Sequence, residues 1–285
     1  MEMTQEYCEL EGIKAPFFVH SRESLYYAWK EFQTLDDDVF NVTYPKSGTT
    51  WLQDILSLIY SNGDPTPIKT QYSWDRVPWL EQRKSKAQVE NLQSPRLITT
   101  HLPIQLFPQS FYKTKAKVIY TVRNPKDICV SLYHFSLVAQ FMDCREDFQE
   151  FVSLFHSKDI IFGRWSEHVK GWLTMKDNPN FLLFSYDEML KDPKSNIIKL
   201  CKFLGKDLDD AAINSVVENS SFQVMKSNDK SNYSMVPDFI FNKSFGSFHR
   251  KGISGDHKQY FTPAQEKEFE ELSGMKDINL PFLQI

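Results

Sequence analysis

Residues 39–56, VFNVTYPKSGTTWLQDIL, place one lysine, one glycine and a run of hydroxyls where a β-type run passes into a helical pattern. Backbone N–H groups of Ser47, Gly48, Thr49 and Thr50 open that helix, so they are expected to face outward together with the positive end of its dipole. Gly48 lets a ligand approach the backbone, the hydroxyls of Ser47, Thr49 and Thr50 add donors, and Lys46 adds a full charge. This chemistry suits a phosphate or a sulfate. The phosphate loop of nucleoside triphosphate enzymes, G-x-x-x-x-G-K-[ST], carries its lysine after the second glycine. Here Lys46 precedes Gly48 and no glycine opens the loop, which argues against a magnesium-dependent kinase. An ordinary capped helix start would use the same residue types.

Two further clusters carry anion chemistry. In KVIYTVRNPKDICVSLYHF (117–135), Arg123 leaves a strand-like run, Asn124-Pro125 turns the chain, and Ser131 follows two helical turns on. The planar fork of an arginine suits a terminal phosphate, although a surface ion pair would use the same residue. In FHRKGISGD (248–256), Arg250 and Lys251 precede Gly252, again two cations beside a backbone open to close approach. Three such clusters point to a ligand with an anionic group at each end.

Positioning them falls to four short apolar runs that read as buried strands: 39–44, 96–100, 117–122 and 181–185. Helical patterns cover 49–60 and 126–135. A third, DPKSNIIKLCKFLG, starts with Asp192 as N-cap and Pro193 in its first turn, and stops at Gly205. Strands alternating with helices predict an α/β fold: one domain over 1–285, with a central parallel sheet flanked by helices on both faces. Ligands of such folds bind beyond the C-terminal strand ends, where Tyr44–Lys46, His101 and Arg123–Pro125 all fall. Residues 235–256 mix Gly, Ser, Asn and aromatics without a clear period, and read as a surface loop expected to act as a flexible lid.

Composition narrows the partners. A net charge of −4 argues against nucleic acid, and no apolar run approaches the roughly eighteen residues of a membrane span. The four cysteines are scattered without C-x-x-C pairs, which fits a reducing, cytoplasmic setting and no zinc site. Aromatic residues reach 14%, with 23 Phe. That surplus fits either an aromatic-lined pocket or a Phe-rich core.

TYPKSGTTW, RNPKDICVS and RKGISGD occur in the order and spacing of the cytosolic sulfotransferases, and the resemblance runs from about Gly12 to Thr262. SPRLITTHLPIQLFP and SKDIIFGRWSEHVKGW look most like the hydroxysteroid branch, whose acceptors include bile acids and related alcohols. The resemblance implies 3′-phosphoadenosine-5′-phosphosulfate (PAPS) as donor and no metal. It places Lys46, Ser47, Gly48, Thr49 and Thr50 on the 5′-phosphosulfate. Arg123, Ser131, Arg250, Lys251 and Gly252 fall on the 3′-phosphate. Trp51 and Phe222 would lie on the adenine, with Tyr186 and Ser220 near the adenine or 3′-phosphate. His101, in THLP, matches the family's general base, and the ordinary range of histidine suits that work near neutrality. Lys46 and Ser131 complete the implied catalytic set. An apolar acceptor wall is expected from Trp74, Trp79, Phe135, Phe141, Tyr233 and Phe239, each of which also suits a core.

The chain departs from the family pattern twice. His257 stands where the family usually has Trp after GD, and a smaller polar ring is expected to loosen the lid or alter donor affinity. In the dimer motif K-x-x-x-T-V-x-x-x-E, Lys258 and Thr262 fit, but Pro263 replaces Val and Lys267 replaces Glu. Proline removes a backbone donor and lysine reverses a charge, so a monomer or weak dimer is expected. The alternatives to a hydroxyl acceptor are an amine or phenol acceptor with the same donor, and a low-turnover protein that holds PAPS and a ligand.

Overall fold

Alternate residues of the central strands feed two different cores, which is why their sequences are apolar almost throughout. Strand β3 (Val39–Thr43) sends Phe40 and Val42 to one side and Val39 to the other. Strand β5 (Lys117–Val122) sends Val118, Tyr120 and Val122 to the first core and Ile119 to the second. This is the two-residue period of a sheet buried on both faces. The computed structural model describes residues 6–278 and 280; the two ends of the 1–285 span lie outside the described residues.

The sheet has four parallel strands in the order β4-β3-β5-β6, with β4 at Leu97–Thr100 and β6 at Phe181–Ser185. Thr43 pairs with Thr121 and Val42 with Thr100, so the strand C-termini end on one rim. Strand β4 starts one residue later than the pattern 96–100 suggests because Arg96 has another task. Its Nε and Nη2 donate to the two carboxylate oxygens of buried Asp38 at 2.8 and 2.6 Å, clamping the entries of β3 and β4. A bidentate pair of this kind fixes register as well as charge. A separate hairpin that the periodicity did not reveal, β1 (Tyr7–Leu10) with β2 (Ile13–Pro16), pairs antiparallel.

Helices follow β3, β5 and β6 as expected, whereas β4 leads only into short 3₁₀ turns at Ile104–Leu106 and Gln109–Lys113. Helix α1 (Thr49–Tyr60) leaves β3 and packs Leu52, Ile55, Leu56 and Ile59 into the second core. Helix α2 (Pro125–Val138) leaves β5, capped by the Asn124 side chain, which accepts from Lys126 N at 2.9 Å. Helix α3 (Trp165–Leu173) brings Trp172 against Tyr120 and Phe107. Helix α4 (Pro193–Leu204) has its N-cap at Asp192 and Gly205 in the left-handed region, φ 71°, at its end. Helix α5 (Pro263–Ser273) is tied to α2 through Lys126 Nζ, 3.0 Å from both Glu266 and Glu270.

The aromatic surplus divides between both uses foreseen for it. Phe32, Phe40, Phe107 and Phe111 pack edge to face in the core, while Phe135, Phe141, Phe162, Phe241 and Phe248 line a cavity.

Candidate functional site

Beyond the strand C-termini lies a cavity of about 820 Å³ that runs from the start of α1 to the turn after β2. At its inner end the chain leaves β3 through Tyr44–Gly48. Lys46 and Gly48 both take positive φ, 68° and 99°, a conformation that strains a lysine and suits a glycine. An added Cβ at Gly48 would meet the Tyr186 ring at 2.7 Å. The loop is pinned from below: Asn41 Nδ2 donates to Thr49 O at 3.1 Å, and the hydroxyls of Thr43 and Thr49 lie 2.7 Å apart. The Ser47 N–H turns back onto Tyr44 O at 3.2 Å, so the outward set is one amide shorter than the motif suggested. It begins at Gly48 and continues into the first turn of α1, whose N–H groups have no intrahelical partner.

Arg123 bridges two loops. Its Nη1 donates to Lys46 O at 2.9 Å, its Nη2 to Ile253 O at 3.1 Å, and its guanidinium lies 4.3 Å over the Tyr186 ring. Its Nε is buried with no partner among the described residues. Arg250 and Lys251 both bond the buried carboxylate of Asp256, which holds the two cations at the same mouth. Ser131 and Phe135, one turn apart on α2, face the cavity together. Trp51 and Phe222 line it too, and Trp51 Nε1 is a buried donor without a partner among the described residues. Ser220 lies off the wall, buried, with its hydroxyl given to Val216 O at 2.7 Å.

Lys46 has aromatic neighbours in place of an acid: Nζ lies 4.2 Å from the Phe135 ring centroid and 4.4 Å from that of Phe248. Burial, then the charges of Arg123 and Arg250, lower its pKa to about 7. An ammonium held by ring faces alone is poorly compensated, and is suited to receive an anion.

His101 sits past the end of β4 with its Nδ1 2.8 Å from Thr43 O. A carbonyl only accepts, so Nδ1 carries the proton and Nε2 keeps a free lone pair. Burial is the first cause lowering its pKa to about 3, below the near-neutral range that the residue type suggested, so the ring is a neutral base throughout the physiological range. Three contacts lock it. Glu81 Oε1 accepts the His101 N–H at 2.8 Å, His168 Nε2 donates to His101 O at 3.0 Å, and the Trp79 ring lies 4.5 Å away. Glu81 is fully buried, and burial raises its pKa to about 7. Neither Glu81 nor His168 had a sequence signal, because each acts on the backbone of His101 from a distant segment.

Trp74, Trp79, Phe135, Phe141 and Tyr233 all reach the cavity wall. Phe239 does not: it is 63% exposed. A turn closes there, with Ile240 N and Phe241 N both donating to Pro237 O. It carries Ile240 and Phe241 onto the wall and leaves Phe239 outside. Much of segment 235–256 is thus part of the cavity and not only surface loop. The Phe248 ring lies tilted 4.0 Å from that of Tyr233, Gln140 N donates to Ile240 O, and Asn242 N donates to Val138 O. His257 is buried, with Nδ1 2.8 Å from Asp127 Oδ1, and Asp127 also accepts the N–H groups of Gly255 and His257. The polar ring therefore takes a seat on α2 through Nδ1, while its Nε2 is buried with no partner among the described residues.

Among the described residues, no group of three His, Cys, Asp or Glu side chains is placed to hold a metal ion. No described helix is long and apolar enough to cross a membrane.

Comparison with known proteins identifies the family. The family model described as "Sulfotransferase domain" matches residues 36–277. The chain is 42% identical to the 3-beta-hydroxysteroid sulfotransferase of Cavia porcellus over 271 residues, 95% of this chain and 94% of that protein. It is likewise 42% identical to Sulfotransferase 2A1 of Homo sapiens over 280 residues, 98% of each chain. Mouse sulfotransferase SULT7A1, solved in complex with PAP, superposes with a TM-score of 0.80 at 29% identity, covering 98% of each chain. Matched by that family model over residues 36–277 and 42% identical to a hydroxysteroid sulfotransferase over nearly its whole length, the chain belongs to the sulfotransferase family.

Proposed function

We propose that the chain transfers a sulfuryl group from PAPS to a hydroxyl of a lipophilic, hydroxysteroid-like acceptor. One observation carries the reading: a neutral imidazole lone pair and an acid-free lysine open onto the same aromatic-walled cavity. The donor half fits the amides from Gly48 onward, Lys46 and the cations Arg123, Arg250 and Lys251, with Trp51 and Phe222 offering faces to a purine. In the acceptor half, His101 Nε2 takes the hydroxyl proton as the oxygen bonds to sulfur. The bond from sulfur to the 5′-phosphate oxygen breaks, and the Lys46 ammonium neutralises the charge left on that oxygen. The named similarity to hydroxysteroid sulfotransferases supports the acceptor class. Four free cysteines support a cytoplasmic setting.

Transfer of labelled sulfate from PAPS, without added metal, to a panel of hydroxysteroids, bile acids, phenols and arylamines tests this reading. Labelling of the hydroxysteroids or bile acids is expected. Labelling confined to phenols or amines would discard the acceptor class, and tight PAPS binding without any transfer would discard the enzyme.

Gly252 makes a sharper test of the donor half. It has φ 65°, and an added Cβ would stand 2.1 Å from the Phe222 ring. Gly252→Ala is expected to displace Phe222 and weaken PAPS binding at least about tenfold, since backbone strain of this kind amounts to ~1–3 kcal/mol. An unchanged Kd by calorimetry would remove both residues from the donor site.

The oligomeric part of the reading is a monomer or weak dimer. Pro263 serves as the first residue of α5 behind Thr262, which forms a capping box with Gln265, and Lys267 is exposed. Sedimentation should show a monomer or weak dimer for the wild type and a shift toward dimer for Pro263→Val with Lys267→Glu. No shift in the double variant would dismiss the motif here.

A further inference from the structure

The cavity holds a second imidazole with the same hydrogen-bond arrangement as His101. His20 lies in the turn after β2, where Pro16 O accepts its N–H at 3.0 Å and faces its Nδ1 at 3.0 Å. The carbonyl can only accept, so Nδ1 carries the proton and Nε2 is left as an acceptor. Nε2 bonds nothing among the described residues, yet His20 is part of the cavity wall. The turn is held from outside: Arg83 N donates to Val19 O at 2.9 Å and the Arg83 guanidinium donates to Phe17 O. The ring is therefore preorganised. Burial, its main cause, lowers the His20 pKa to about 4, so the lone pair stays available at neutral pH.

His20 and His101 flank one aromatic ring. The Phe162 centroid lies 5.6 Å from His20 and 5.3 Å from His101, edge-on to both. One apolar wall thus carries two outward acceptors with a phenyl ring between them. A partly dehydrated acceptor atom in an apolar cavity favours ligands that bring it a donor and disfavours those that leave it unpaired.

We propose that His20 is a specificity-determining residue, accepting a hydrogen bond from a second hydroxyl on the scaffold that offers its first hydroxyl to His101. The preferred acceptor is then an apolar diol over the matching mono-alcohol. The inference rests on the hydroxysteroid reading above and deepens it.

The test compares kcat/KM for a saturated steroid 3-ol and the corresponding 3,17-diol, together with a simple phenol, in the wild type, His20→Leu and His20→Gln. The wild type should favour the diol by about tenfold, the worth of one hydrogen bond. His20→Leu should bring the ratio close to one, and His20→Gln, whose amide oxygen accepts, should restore part of it. PAPS affinity in each variant reports folding. A diol-to-mono-alcohol ratio that is the same in all three proteins overturns the proposal, as does a wild type without diol preference. A wild type that sulfates the phenol but neither steroid fails differently, since it overturns the acceptor class itself. If His20→Leu does not fold, the ratio in the wild type and in His20→Gln still decides: a glutamine ratio above that of the wild type contradicts an imidazole-specific anchor.

Discussion

His101→Ala is expected to lower kcat by about 10²- to 10⁴-fold while PAPS binds with unchanged affinity. In the proposed reaction the imidazole serves the acceptor, and it is fixed by Thr43 O at Nδ1, Glu81 at its N–H and His168 at its carbonyl. Without Nε2, the attacking hydroxyl has no base in reach of that rigid seat, whereas the donor contacts from Gly48 onward are untouched. Stopped-time assays with labelled PAPS measure the first effect and calorimetry the second. A variant that turns over near the wild-type rate would remove His101 as the base. The pH profile adds an independent check. Because the pKa of His101 is lowered to about 3, its base form persists on acidification, and kcat/KM should show no acidic limb near the usual value of histidine. A limb near that value would mean that the ring is more solvated than its burial indicates.

Lys46→Met is expected to be nearly as damaging, about 10²- to 10³-fold in kcat, and also to weaken PAPS binding. The methionine keeps much of the packing against Phe135 and Phe248 but supplies no charge to the departing phosphate oxygen. The sign of its pH dependence follows from the lowered pKa of about 7. In the free enzyme Lys46 is charged below that value and neutral above it, so an anion binding above it must bring a proton. PAPS affinity of the wild type should therefore fall as pH rises through about 7, by up to about tenfold per unit. In Lys46→Met that slope should vanish, because Arg123 and Arg250 stay charged throughout. A wild-type affinity that is flat from pH 6 to 9 would show that the lysine is charged all through that range.

Seating His257 against Asp127 has a consequence for the lid. Asp127 collects three bonds from residues 255–257, and Asp256 between them holds Arg250 and Lys251. The cations at the outer mouth are therefore anchored to the first turn of α2, the same helix that presents Ser131 and Phe135 to the cavity. One helix thus carries both the anchor of those cations and the cavity-facing Ser131 and Phe135.

Local patterns determined much of this protein. The apolar runs of β3, β5 and β6, the caps at Asp192 and Gly205, the Gly48 turn and the three cationic clusters are all encoded within a few residues. Alternation of strand and helix then forces the clusters to one rim, because parallel strands end on the same side. Tertiary structure alone decided the rest. Whether Ser47 N–H faces a ligand depends on a bond to Tyr44, and which aromatic of 237–241 faces inward depends on the turn at Pro237. The proton position on His101 depends on Thr43 O, and the depressed pKa values of His101 and Lys46 depend on burial by segments far apart in the chain. Glu81 and His168 carried no signal because each acts on the backbone of His101 from a distant segment, and His20 carried none because only folding places the ring held by Pro16 O on the cavity wall. A motif records which chemistry is available; desolvation and long-range hydrogen bonds set its direction, charge and reach, and these arise only when the chain is packed.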